Sequence, residues 1–129
     1  MLLNSETDYA IRILSCLVGR NDRVDAATIA RETGVTPRFT LKILHSLVVA
    51  NIVKSYKGNK GGYLLARPPE EITLLEVFEH IGGPLTVSRC QHDSNCCTHP
   101  KGICEFKDVF ADVTSYMRKK LAEANFKDK

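Results

Sequence analysis

The sequence predicts a mainly α-helical fold with one small β-hairpin, and three patterns indicate it. Apolar residues recur at helical spacing in five separate segments. Two short strand-like segments flank the glycine-rich stretch KGNKGG at residues 57–62. The last helical segment is long and follows a loop rich in cysteine. With 129 residues, of which 43% are hydrophobic and 26% charged, the chain has the composition of one soluble globular domain.

The first helix is indicated by an apolar stripe between Ala10 and Val18. Ser5 or Thr7 is the expected N-cap, and Gly19 lies near the end of the helix. Cys16 lies on the same stripe, so we expect it to be a small buried residue.

The second and third helices form a predicted helix-turn-helix. Asp25 is a favourable N-cap for helix two, and Gly34 is expected to end it. Thr36 can cap helix three, with Pro37 at its first position, where a missing N–H costs nothing. Two short helices joined by a tight turn that contains glycine are typical of this motif. The buried stripe of helix three is expected to comprise Phe39 or Thr40, then Ile43, Leu44, Leu47 and Val48.

A hairpin and a fourth helix follow. Residues 52–56 and 63–66 are predicted strands, and the glycines between them permit the tight turn. Thr73 and Glu76 match a capping box at the start of helix four, which residues 82–84 (GGP) terminate. The order of elements predicts a winged helix-turn-helix with a long C-terminal dimerisation helix.

The chain is expected to divide into three parts of one compact unit: a DNA-binding domain at 1–83, a cysteine-rich loop at 84–104, and a dimerisation helix and tail at 105–129. Apolar residues at spacings of four, three and four suit packing against a second helix. The helix of a second copy is the expected partner, which predicts a homodimer. The residues expected at this seam are Phe106, Phe110, Val113 and Met117.

The charge distribution predicts an anionic partner. Residues 1–67 hold ten Lys or Arg against five Asp or Glu, whereas residues 68–129 hold eight against ten. Between Val35 and Pro69 there are six basic residues and no acidic one. Because a solvated surface normally mixes the two signs, we expect this stretch to bind double-stranded DNA.

Two adjacent elements supply the predicted DNA contacts. Helix three fits the major groove, where Arg38 and Lys42 can donate to guanine, and Thr36 and Thr40 can contact phosphate or a thymine methyl group. Lysines of the hairpin can neutralise phosphates or enter a narrow minor groove. The predicted DNA-binding residues are Thr36, Arg38, Thr40, Lys42, His45, Lys54, Lys57, Asn59 and Lys60.

The segment SRCQHDSNCCTHPKGIC, residues 88–104, contains four of the five cysteines. No signal-peptide core or apolar run of spanning length is apparent, which indicates a cytoplasmic chain with reduced thiols and no membrane partner. Cys90, Cys96 and Cys104 are separated by five and seven residues, unlike the CxxC pairs of a zinc ribbon. Iron–sulfur cluster or metal binding is therefore favoured, although His92 and His99 keep a zinc site open.

The chain resembles the IscR and NsrR type of bacterial winged-helix regulators. The resemblance runs through TDYAIRIL, TPRFTLKILHSL, GNKGGYLLARPPEEITLLEVFEHIGG and SRC, in that order. It implies a transcriptional regulator that dimerises through its long helix and carries an iron–sulfur cluster near the dimer interface. The state of the cluster would then control DNA affinity or site choice.

The resemblance implies a ligand set only in part. IscR-like members place a histidine ligand where this chain has Lys107, whereas NsrR-like members use an aspartate of the partner subunit, and Asp8 occupies that place here. Asp8 is equally explained as a first-turn carboxylate that the helix dipole favours. The cluster is [2Fe–2S] or [4Fe–4S], and an apo form would lack it. The candidate ligands are Cys90, Cys96 and Cys104, with Cys97 and Asp8 as further candidates.

The sequence therefore predicts a DNA-binding regulator controlled by an iron–sulfur cluster that senses cluster or iron status, nitric oxide or redox state. The alternative is the same regulator controlled by cysteine oxidation or zinc. An enzyme is not expected, since CxxC and glycine-rich nucleotide motifs are lacking. An adaptor that has lost DNA binding is disfavoured by the basic stretch at residues 35–69.

Overall fold

The computed structural model describes residues 4–86 and 106–127. Within these ranges the chain forms five helices and a two-stranded antiparallel hairpin, so the predicted fold class is confirmed. The elements are α1 (Ser5–Leu17), α2 (Ala26–Thr33), α3 (Pro37–Val49), β1 (Val53–Tyr56), β2 (Gly62–Leu65), a short 3₁₀ turn (Pro69–Glu71), α4 (Leu74–Gly82) and α5 (Lys107–Glu123).

The N-cap of helix α1 precedes both of the residues expected to cap it. Asn4, rather than Ser5 or Thr7, is the N-cap, and its Oδ1 accepts a hydrogen bond from the Thr7 N–H at 2.8 Å. Thr7 is itself fully buried and donates its hydroxyl to the same Asn4 oxygen at 2.9 Å. The sequence pattern was misleading because Ser, Thr and Asn all cap helices well.

The predicted caps of α2 and α3 are confirmed. Asp25 accepts from the Thr28 N–H at 2.9 Å, and Gly34 ends α2 with a positive φ of 76°. Thr36 caps α3, with Pro37 as its first residue. Helices α1 and α3 bury their apolar stripes against each other and against α2 and α4. The centre of this core is formed by Ala10, Ile13, Leu14, Leu17, Ile29, Ile43, Leu44, Leu47, Ile52 and Val77.

The hairpin is bonded along one edge to the linker between α1 and α2. Strands β1 and β2 pair from Val53 with Leu65 to Tyr56 with Gly62. Val24, just before α2, exchanges two backbone hydrogen bonds with Tyr63, at 3.1 and 2.8 Å. The α1–α2 linker therefore lies along the outer edge of β2.

Helix α4 has the predicted threonine cap, but its glutamate has a different partner. Thr73 accepts from the Glu76 N–H at 3.2 Å. The Glu76 carboxylate binds Arg67 instead of completing the capping box. Arg67 also reaches the Glu71 carbonyl at 3.5 Å, so it joins the end of the hairpin to α4.

The tail after helix α5 returns to the 3₁₀ turn and the start of α4. The Leu74 N–H donates to the Ala124 carbonyl at 2.9 Å, and the Phe126 N–H donates to the Pro69 carbonyl at 3.2 Å. The Phe126 ring is 2% exposed and belongs to the central core. The tail after α5 thus adds a buried ring to the contacts that α5 itself makes with α4.

Candidate nucleic-acid interface

The predicted DNA contacts Arg38, Lys42 and His45 lie on the face of α3 opposite its core stripe, and we call this face the recognition surface. At 3.6 residues per turn, Arg38 and His45 lie within about 20° of each other, with Leu41 and Lys42 about 50° to either side. All four side chains are exposed. A DNA duplex can therefore approach the two predicted cations and the histidine from one direction.

Lys42 already has a partner within the chain. Its Nζ lies 2.6 Å from Glu6 Oε1 in the first turn of α1, and the two side chains are 58% and 36% exposed. Exposed ion pairs of this kind contribute only about 0–1 kcal/mol. Lys42 can therefore exchange Glu6 for a phosphate or a base edge at little cost.

The structure contradicts one predicted DNA contact. Thr40 has no exposed surface, and its hydroxyl lies 3.5 Å from the Val35 carbonyl. Phe39 is instead 41% exposed and packs near Tyr9 of α1, with 5.8 Å between the ring centroids. Of the two residues expected to begin the core stripe, Thr40 is the buried one, and we remove it from the predicted DNA contacts.

At the N-terminus of α3, Thr36 and Arg38 were both predicted to contact DNA. Thr36 is exposed, but its Oγ1 accepts from the Phe39 N–H at 3.4 Å. Thr36 therefore serves first as the cap. Arg38, two residues on, remains exposed beside the helix N-terminus, a position that favours anions.

The hairpin presents the predicted polar residues to solvent. Lys54, Lys57, Asn59 and Lys60 are all exposed. The tip depends on glycine, because a Cβ at Gly61 would lie 2.5 Å from the Tyr56 carbonyl oxygen and one at Gly62 would lie 2.7 Å from the Val24 oxygen. The close backbone packing at Gly62 is what holds the wing against the α1–α2 linker.

Arg23 is a basic residue at this surface that the sequence did not single out. Its guanidinium carbon lies 3.8 Å from the centroid of the Tyr56 ring, and Nη1 donates to the Lys60 carbonyl at 3.4 Å. Lys54 approaches the same ring at 5.6 Å. Arg23 thus connects the linker to the tip of the wing. Charge counting could not find it, since Asp22 and Asp25 are its neighbours in the sequence.

The predicted cysteine ligands Cys90, Cys96, Cys97 and Cys104 lie outside the described residues. Asp8 is described: it is half-buried in the first turn of α1 and pairs with Arg12 at 3.0 Å. Among residues 4–86 and 106–127, no three His, Cys, Asp or Glu side chains are grouped as a metal site. Asp8 could therefore serve as a ligand only together with donors from outside these ranges or from another chain.

Cys16, which was expected to be buried, is only partly buried in the structure. It is partly buried on α1, and burial, together with the negative charge of Glu32, raises the pKa of its thiol. A raised pKa disfavours the reactive thiolate.

The long helix α5 leaves an apolar stripe uncovered by the described part of its own chain. Phe106, Val109, Val113 and Tyr116 are 60%, 54%, 43% and 63% exposed. Phe110 and Met117, which were expected at the seam, are half-buried. The exposed residues are spaced three, four and three apart, which is also a helix-packing pattern. Within the described ranges, no helix is both long and apolar enough to cross a membrane.

Comparison with known proteins gives a consistent result along the whole chain. A family model described as "Rrf2: Iron-dependent Transcriptional regulator" matches residues 3–128. An rrf2-like HTH-type transcriptional regulator of Rhodobacter capsulatus is 31% identical over 121 residues, covering 87% of this chain and 81% of that protein. The HTH-type transcriptional regulator NsrR of Halalkalibacterium halodurans is 29% identical over 123 residues, covering 92% and 83%. Three other relatives are longer, and the match spans 56% or 59% of their length.

Two solved structures share the fold. CymR, the global cysteine regulator of B. subtilis, has a TM-score of 0.79 at 18% identity, covering 99% of this chain and 95% of that one. IscR of T. potens has a TM-score of 0.78 at 21% identity, covering 99% and 85%. The names of the relatives in sequence describe transcriptional regulation, which is a non-enzymatic role, as predicted.

Proposed function

The chain belongs to the Rrf2 family of transcriptional regulators, and from this premise we propose that it binds specific DNA sequences as a homodimer under the control of an iron–sulfur cluster. The proposal includes the cytoplasmic location expected from the sequence, where DNA is within reach. The observation that carries it is the arrangement of α3 and the wing as one basic surface.

The wing follows α3 through a short turn. Asn51 turns the chain directly after α3 with a positive φ of 61°, and the Ile52 N–H donates to the Leu47 carbonyl at 3.0 Å. The first strand of the wing is therefore packed directly against the recognition helix. With α3 in the major groove, the wing lysines Lys57 and Lys60 would reach the neighbouring phosphates or the minor groove.

The exposed face of α5 supports the homodimer. Four large apolar side chains in one stripe, each more than 40% exposed, are unusual on a monomer surface. The α5 helix of a second copy would cover these side chains. The packing of the two α5 helices would then set the distance between the two recognition helices. That distance is what a dimer reads as the spacing of two half-sites.

The donor set fits an iron–sulfur cluster. Cys90, Cys96 or Cys97, and Cys104 would provide thiolates, the ligands that such clusters require. The carboxylate of Asp8, which is 42% exposed and paired with Arg12, is accessible as an oxygen ligand to a partner subunit. When bound, the cluster would supply a centre whose loss or modification reports iron, nitric oxide or redox status.

The first turn of α1 offers a route from the loop to the DNA surface. A Cβ at Gly82, close to where the loop leaves α4, would lie 3.3 Å from Thr7 Oγ1. Glu6 in the same turn binds Lys42 of the recognition helix. Release of the loop would then disturb this turn and α5, and change how the two recognition helices are spaced.

The decisive test is anaerobic purification with absorption and Mössbauer spectra, followed by DNA shift assays with and without the cluster. Asp8→Ala and each single Cys→Ala remove a candidate ligand. Lys107→His adds the histidine that IscR-like members use at this position. We expect a coloured protein that loses its cluster, and changes its DNA affinity, when a ligand is removed. A colourless protein that binds the same DNA regardless of iron would contradict cluster control and leave the family assignment intact.

A second candidate is control by cysteine oxidation or zinc without a cluster. The fold neighbour CymR is a cysteine regulator, and His92 and His99 add zinc donors to the four cysteines of the loop. Bound zinc, or a disulfide that alters DNA binding in the colourless protein, would favour this candidate.

A further inference from the structure

Leu41 is a large aliphatic residue that α3 holds in solvent, 52% exposed, on the surface proposed to face DNA. We propose that Leu41 is a specificity-determining residue that contacts the 5-methyl group of a thymine in the major groove. This inference rests on the proposed DNA-binding function.

The position of Leu41 on the helix singles it out. Lys42 borders the recognition surface on the side of α1, where Glu6 holds it. Leu41 borders the same surface on the opposite side, one turn from both Arg38 and His45. It lies in the first half of α3, the part of a recognition helix that reaches base edges.

Leu41 has no evident structural role among the described residues. The buried stripe of α3 consists of its neighbours Thr40, Ile43, Leu44 and Leu47, and Leu41 is absent from the apolar residues that pack against this core. An exposed isobutyl group gains free energy only when something apolar covers it.

Thymine is the partner that the surroundings favour. Leu41 lies between cationic or polar side chains in a stretch, residues 35–69, that has no carboxylate. The edges of guanine, cytosine and adenine in the major groove are polar, whereas thymine adds a methyl group at C5. Leu41 would therefore contact the methyl group of a thymine, and Arg38 would donate to the neighbouring base pair. Thr36 and Thr40 were expected to contact phosphate or a thymine methyl group, but Thr40 is buried, whereas Leu41 is exposed.

The test compares thymine with uracil, which differs only in lacking the methyl group. The DNA is a duplex of about 30 base pairs recovered by selecting a random-sequence library with the wild-type protein, a length that covers two half-sites about one helical turn apart. Each thymine is replaced by uracil in turn, and affinities are measured by fluorescence anisotropy at one salt concentration. We expect one thymine in each half-site whose replacement weakens wild-type binding about fourfold, the value of one buried methyl group.

The variants decide whether Leu41 makes this contact. Leu41→Ala should bind the thymine duplex about fourfold more weakly per half-site and should no longer distinguish thymine from uracil. Leu41→Gln, which keeps the length but is polar, should behave likewise. Val49→Ala is the matched control: Val49 is 70% exposed on the same helix, one turn beyond His45, and this variant should keep the full uracil effect. Circular dichroism checks that each variant is folded.

The outcomes separate the two proposals. If the wild type selects no sequence, the proposed DNA-reading function fails, and this inference fails with it. If the wild type selects a site but no uracil replacement matters, or Leu41→Ala retains the wild-type preference for thymine, only the role of Leu41 is overturned.

Discussion

Replacing Phe126 with alanine tests whether the tail after α5 is part of the fold. The ring is 2% exposed and belongs to the core formed by α1, α3 and α4. The backbone around it is fixed by the hydrogen bonds from Leu74 to Ala124 and from Phe126 to Pro69. Since these bonds hold the tail in place, the space left by the ring cannot close easily.

The expected loss is that of a phenylalanine removed from a well-packed core, about 3–5 kcal/mol in the free energy of unfolding. Unfolding entropy is about 2.1 cal/mol/K per residue, or about 0.27 kcal/mol/K for 129 residues. The melting temperature should therefore fall by about 11–18 °C. The measurement is thermal unfolding followed by circular dichroism at 222 nm, at several matched protein concentrations.

Phe106→Ala is the matched control, because Phe106 is 60% exposed at the other end of α5. If α5 forms the dimer seam, the effect of Phe106→Ala should depend on protein concentration, as expected for weakened association. The loss in Phe126→Ala should instead remain at every concentration. A melting temperature for Phe126→Ala within about 3 °C of wild type would show that the tail is not an anchor.

Three further predictions concern the wing lysines, Arg23 and Cys16. The double variant Lys57→Ala, Lys60→Ala should bind DNA more weakly. The slope of the logarithm of the DNA association constant against the logarithm of the salt concentration should fall by about 0.9 for each phosphate that the lysines no longer neutralise. An unchanged affinity and slope would exclude the wing from the interface. Arg23→Ala should weaken DNA binding about two- to fivefold, because the tip of the wing loses the Arg23 contacts with Tyr56 and Lys60 while the backbone pairing of Val24 with Tyr63 remains, and Arg23→Lys should restore part of it in the same assay. Because partial burial raises the pKa of Cys16, iodoacetamide at pH 8 should modify it more slowly in the folded chain than in urea, as measured by peptide mass spectrometry. Equal rates would show that the fold does not protect the thiol.

The fold could be predicted from sequence wherever a local signal was strong and unambiguous. Asp25, Gly34 and the pair Thr36–Pro37 each mark a helix end by a different physical requirement, and each is confirmed. The N-terminus of α1 was misassigned because several residues there can cap. Phe126 was missed for another reason: one apolar residue in a polar tail has no periodicity, and only the returning chain shows what covers it.

The candidate site was predicted in composition better than in geometry. Counting charges found the basic stretch, but it could not show that Arg67 forms an ion pair with Glu76 or that Lys42 forms one with Glu6. Thr40 was chosen because its side chain suits DNA, although the helix turns it into the core. Side-chain chemistry indicates what a residue can bind, whereas the phase of the helix decides whether it meets a partner.

Helix α5 shows the same limit at the proposed dimer seam. Its apolar residues form two neighbouring stripes, and the seam was expected on the one that contains Phe110 and Met117. Thr114 is buried, and Arg118, one turn on, pairs with Glu79 of α4 at 2.5 Å, which sets the side that faces the chain's own α4. The stripe most distant from that side is the one containing Val109 and Tyr116, not the one containing Met117. A seam for a second copy has to use the stripe that α4 leaves open, so we expect the dimer to be centred on Val109, Val113 and Tyr116.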